Sequence, residues 1–164
     1  MAINFTNIKT QFKSILDTAN TSTAAYDLST SLTRRVQKVL TVNPLKIPIQ
    51  PSFFPYVTIY PDVKTVESVS MGIDQLTPKR MGSCGFSVVG AVWQQNISNV
   101  TDDPSDNECE QLMENVEEVI RRNFLLNGSV KWSKPERVSY HTLALDEETH
   151  MRVGLMELTC KVEY

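Results

Sequence analysis

The stretch PSDNECEQLMENVEEVIRRNFLLN, running from Pro104 to Asn127, decides the fold. Within it Cys109, Leu112, Met113, Val116, Val119, Ile120 and Phe124 recur at steps of three and four, which lines them along one stripe of an α-helix. The other side carries Glu110, Glu114, Glu117, Glu118, Arg121 and Arg122, with Glu117/Arg121 and Glu118/Arg122 in the favoured acid-first order. Asp103 supplies an N-cap with Pro104 at the first helical position, and the two arginines with Asn127-Gly128 close the other end. A helix of roughly 35 Å with one apolar stripe needs a broad surface to lie on, and the β-rich segments on either side of it supply a sheet. The expected fold is α+β: an antiparallel or mixed sheet packed against this long amphipathic helix and an N-terminal helix, with residues 1–164 forming a single domain.

Upstream, Phe5, Ile8, Phe12, Ile15 and Leu16 have helical spacing, with Asn4 or Thr6 as cap, and predict that N-terminal helix over Ile3 to Asp17. From Thr18 to Thr33 small polar residues surround Tyr26 and Leu28, as in a long and mobile loop. Leu32 to Val42 fits helix or strand, and its Val and Thr content tips it to strand. Five of the eight prolines fall between Pro44 and Pro61. From Pro44 to Pro51 their spacing excludes regular helix and central strand, leaving an extended apolar arm that packs on its own core or on a neighbour.

Phe54 to Tyr60 reads as a short strand, Val63 to Met71 as a second, and Gly72 to Gly85 as a basic loop that protrudes around Pro78, Lys79 and Arg80. Phe86 to Gln95 is apolar or β-favouring on both faces, as a central strand is, which makes Trp93 a core residue. Val138 to Leu145 and Met151 to Tyr164 form a closing hairpin around the acidic turn from Asp146 to Thr149. In its last strand Met156, Leu158, Cys160, Val162 and Tyr164 alternate with Glu157, Thr159, Lys161 and Glu163, so one face is buried.

The formal charge of −3 and the short basic runs, Thr33-Arg34-Arg35 and Lys79-Arg80, argue against a dedicated nucleic-acid binder, because few phosphate counterions would be displaced. No apolar run has the length to cross a bilayer, and Met1 to Phe5 lacks a secretion signal, so synthesis in the cytosol with no membrane partner is expected. Cys84, Cys109 and Cys160 have no metal-type spacing and read as reduced core thiols. Without an export signal, the five Asn-X-Ser/Thr sites at Asn4, Asn20, Asn96, Asn99 and Asn127 read as chance in a chain rich in these residues.

Chemistry is sparse. A nucleophile needs a base within reach, and the two histidines, His141 and His150, flank the acidic turn with Gly154 or Leu155 opposite His141 rather than a thiol or serine. The two histidines with Asp146, Glu147 or Glu148 offer a conceivable metal site, outweighed by a solvated turn. Gly82, Gly85 and Gly90 lack the strand-to-helix context of a phosphate loop. The expectation is a non-enzyme with no catalytic, metal or cofactor residues.

The order of elements carries a resemblance. An N-terminal helix, the entry Phe54-Pro55-Tyr56-Val57-Thr58-Ile59, a β-excursion, the central strand Phe86 to Gln95, a long acidic helix and a final hairpin ending at Tyr164 resemble the tail terminator (tail completion) proteins of long-tailed bacteriophages. That resemblance implies a structural virion protein, assembled in the host cytoplasm as a hexameric ring that caps the tail tube, stops its polymerisation and joins it to the neck. Its implied partners are copies of itself, the tail tube protein and head-tail connector or neck proteins, with DNA only as cargo through the pore. A ring needs two different patches per subunit that meet head to tail; candidates are the Pro44 to Phe54 arm, the Gly72 to Gly85 loop and the exposed edge of a terminal strand. The competing readings are a head-tail adaptor or head-closure protein, and a small hydrolytic or ligand-binding domain that uses His141.

Overall fold

The computed structural model describes residues 3–65, 81–95, 104–145 and 149–163. In chain order the elements are α1 (Phe5–Ala19), β1 (Lys38–Leu40), β2 (Tyr56–Thr65), β3 (Met81–Gln95), α2 (Pro104–Arg122), β4 (Trp132–Ala144) and β5 (Thr149–Glu163). The five strands form one sheet ordered β1-β2-β3-β5-β4, with β1 parallel to β2 and each other neighbouring pair antiparallel. This is the mixed α+β layout expected, with β3 in the centre. Both helices lie on one face. There α1 contributes Ile8, Phe12 and Leu16, and α2 contributes Leu112, Met113, Val116 and Ile120, to a cluster shared with Val57, Ile59, Phe86, Val88, Met156 and Leu158 of the sheet.

The stripe on α2 is buried from Cys109 to Ile120, and Glu117 and Glu118 pair with Arg121 and Arg122 as the spacing predicts. The helix nevertheless stops at Arg122 rather than Asn127. A short 3-10 turn follows at Leu126–Gly128, where Asn127 (φ 55) and Gly128 (φ 79) adopt left-handed backbone. Unwinding there turns Phe124 outward, 48 % exposed, and buries Leu126 completely. The proposed cap at Asp103 lies outside the described residues. On α1, Asn4 caps the helix by accepting a hydrogen bond from the Asn7 amide, and the helix runs on to Ala19.

Pro61, which separates two expected strands, and Pro135 each sit beside a bulge. β2 runs through Pro61 with a register shift before Val63, and β4 runs through Pro135 with one before Arg137. The residues left out of the ladder are Asp62 and Glu136, directly after the prolines, while Pro61 and Pro135 keep register partners in Phe86 and Leu158. The two strands expected around Pro61 are thus one as far as Thr65, and 66–71 lie outside the described residues. Met81 to Gly85 belong to β3 rather than to a loop, while 72–80 lie outside the description. The Leu32 to Val42 strand contracts to β1.

The segment after α1 is irregular but pinned. The Asn115 amide of α2 donates to the carbonyls of Leu28 and Thr30, both at 2.9 Å. Asn20 accepts from Ser29 Oγ at 2.7 Å and donates to the Val36 carbonyl at 2.8 Å. Arg35 pairs with Asp27 at 2.8 Å and holds that carboxyl below its ordinary range, aided by the Ser29 amide. Where α2 crosses the sheet, Gly90 and Gly154 face each other across β3 and β5, and Met113 rests on the bare backbone they leave.

Candidate functional site

Among the described residues, the sheet face away from the helices is only partly covered. The arm expected to be extended instead makes two 3-10 turns, Pro44–Lys46 and Pro51–Phe53, each with proline in its first turn. Asn43 caps the first by accepting from the Leu45 amide at 2.9 Å, and the Phe54-Pro55 peptide is cis. Ile47 and Phe54 turn inward onto Tyr56, Ala91 and Met151, with Trp93 half-buried beside them. Phe54 stacks at a tilt on Tyr56 and Trp93, with ring centroids 5.1 and 5.3 Å apart. Thr58 fixes the arm's root by donating to the Val42 carbonyl at 2.6 Å.

The arm's remaining apolar residues turn outward: Leu45 is 94 % and Ile49 57 % exposed. Between the arm and strands β2 to β4 lies an open groove of about 410 Å³, floored by Tyr60, Val89, Val153 and Leu155, with His141 and Leu143 on its far side. A second exposed apolar group, Phe124, Leu125 and Trp132, lies where α2 gives way to β4. Isolated exposed apolar residues are ordinary, whereas a contiguous set beside a groove marks a contact surface.

The groups considered for chemistry are dispersed. His141 lies on β4 opposite Val153, one residue from the expected register, and is exposed at the groove's edge. His150 lies opposite Ala144, so the two imidazoles stand at different places in the hairpin. Asp146, Glu147 and Glu148, their suggested metal partners, lie outside the described residues. Among the described residues no three His, Cys, Asp or Glu side chains gather as a metal site would require, and no helix is long and apolar enough to cross a membrane. Gly82, Gly85 and Gly90 are interior to β3, not at a strand-to-helix turn.

The three thiols are free and buried, Cys84 and Cys160 on the helix-covered face of the sheet and Cys109 on α2. Burial pushes Cys109 up to about 12, with Arg152 opposing and Asp106 and Glu110 adding to the rise. No imidazole enters that balance. Arg152 itself sits 2.7 Å from Asp106, attracted but not aligned as a hydrogen bond, and donates to Thr142 at 2.6 Å. A cavity of about 440 Å³ between α1, residues 21–26 and the end of α2 is lined by Ile15, Ala19 and Val119 as well as by hydroxyls and amides, with Arg122 stacked 3.4 Å over Tyr26 and paired to Glu118. Sequence reasoning singled out the arm but missed the groove beside it, because Tyr60, Val89, His141, Val153 and Leu155 are brought together only by the strand order. No family model matches the chain, and no curated protein matches it.

Proposed function

We propose that this chain is a structural, ring-forming subunit of the tail-terminator type, which caps a phage tail tube and presents a surface to the neck. The observation that carries the reading is the arm: Leu45, in a proline-started turn, and Ile49, between two such turns, face outward beside an apolar groove that the described residues leave open. Rigid turns reduce the entropy lost on docking, so such an arm is suited to a neighbour. The Phe124, Leu125 and Trp132 group is a second, different patch, and two unlike patches are what a head-to-tail ring requires. The order helix, strands, long helix, closing hairpin supports the same reading, as it does the resemblance. The role asks no catalysis of His141, and the acidic balance suits a pore through which DNA slides without sticking.

The test is assembly. Light scattering and negative-stain imaging, with and without tail tubes, are expected to give rings near six times the 18.5 kDa chain mass, or a monomer that becomes ring-like on tube ends. A fixed dimer with no effect on tube length would refute the proposal. A ring that binds the portal side and ignores tubes would assign the chain to head closure instead. Turnover of an ester, phosphate or nucleotide substrate that disappears in His141→Ala would replace the structural role with a hydrolytic one.

A further inference from the structure

Cys84 on β3 and Cys160 on β5 are direct register partners 76 residues apart in the chain, so their side chains leave the sheet on the same, helix-covered face. Both are free, with exposures of 1 % and 0 %, and Cys84 Sγ lies 3.7 Å from the Cys160 carbonyl oxygen. Opposed residues of an antiparallel pair have Cα atoms about 4.5 or 5.5 Å apart. A disulfide accepts about 4.4–6.8 Å, so a bond can close here without sliding one strand along the other.

We propose that Cys84 and Cys160 form an oxidisable dithiol site, closed into an intramolecular disulfide by a small peroxide. Burial excludes bulky disulfide oxidants, whereas hydrogen peroxide is close to water in size. The Cys84 sulfur attacks one peroxide oxygen, the O–O bond breaks, and Cys84 becomes a sulfenic acid with release of one water. The Cys160 sulfur then attacks the Cys84 sulfur, displacing the hydroxyl, which leaves as a second water with the Cys160 proton. Two thiols are oxidised by two electrons and one peroxide is reduced to two waters. The interaction between the two thiols draws Cys84 down and, with burial, pushes Cys160 up, which favours Cys84 as the sulfur oxidised first. Cys109 cannot substitute for either: its backbone neighbour on β5 is Gly154, six residues from Cys160, roughly 20 Å at the strand rise.

The site is tested on the full chain with hydrogen peroxide, in buffer and in urea below the unfolding transition, followed by denaturing alkylation and peptide mapping. The expected result is that alkylatable thiols fall from three to one, the intact mass falls by two hydrogens, and a single cross-linked peptide pair joins Cys84 to Cys160. Cys109→Ala is expected to close the same bridge. Cys160→Ser is expected to stop at a sulfenic acid on Cys84 that dimedone traps. Retention of all three thiols in both media under peroxide that oxidises the methionines, or any bridge to Cys109, would overturn the proposal.

Discussion

Replacing Gly154 by alanine probes the close approach of α2 to the sheet. A Cβ at Gly154 would stand 2.3 Å from Met113 Cγ, 3.0 Å from its Sδ and 3.3 Å from Tyr140 Cε1. Carbon atoms in good contact stay about 3.5–4.0 Å apart, so Met113 would have to retreat by about 1 Å or more. Its room to move is small: Met113 is 1 % exposed, and its sulfur also lies over the backbone of Gly90, 2.7 Å from where a Cβ would stand. Overpacking of this kind costs about 1–3 kcal/mol, offset by about 0.5–1 kcal/mol because alanine suits a strand better than glycine. We expect Gly154→Ala to lower stability by about 1–2 kcal/mol, measured by equilibrium urea unfolding with an unchanged m-value. Met113→Ala alone should cost about 2–5 kcal/mol, since it opens a cavity. With both changes the new methyl occupies vacated space, so the double variant should lose at least about 1 kcal/mol less than the sum. A neutral or stabilising Gly154→Ala, or strict additivity in the cycle, would refute the packing argument.

Other outcomes follow from contacts elsewhere. Asn115→Ala leaves the Leu28 and Thr30 carbonyls without their α2 donor and should cost about 1–3 kcal/mol, with hydrogen exchange accelerated in residues 20–33 ahead of the sheet. Because Asp27 has a lowered folded pKa, its contribution to stability is present above its unfolded value, near 3.8, and is lost as pH falls through the lower folded one. Arg35→Gln should therefore raise the Asp27 pKa seen in a carboxyl carbon NMR titration and flatten the fall in stability below pH 4 (about the unfolded pKa). Leu45→Asp with Ile49→Asp changes two outward-facing side chains, so unfolding should shift by no more than about 0.5 kcal/mol while self-association in sedimentation is lost.

Much of this architecture was legible in the chain because burial imposes a period. The α2 stripe, the α1 stripe and the alternation of Met156, Leu158, Cys160 and Val162 each required only one element's geometry to be read. What was missed depends on two elements at once. Gly90 and Gly154 matter because register makes them opposite and α2 lays Met113 across them, which no local pattern encodes. Asn115 looks like one more polar residue on a wet helix face, yet it closes hydrogen bonds to a segment more than eighty residues away. Pro61 reads as a strand end because a lone proline does not say whether a bulge follows it. The groove has the same origin: its floor and walls come from four separated parts of the chain.

The strand order also has a kinetic side. β5 is the last of the five strands in sequence, yet it is the one that joins β3 to β4. Until residues 149–163 arrive, β3 lacks its β5 neighbour and β4 lacks the one strand it pairs with among the described residues, so the sheet cannot be completed on the ribosome before β5 is made. Those two open flanks are where an incomplete nascent chain would recruit a stranger, and a chaperone that shields β3 during this interval would protect the product more than one acting on either helix.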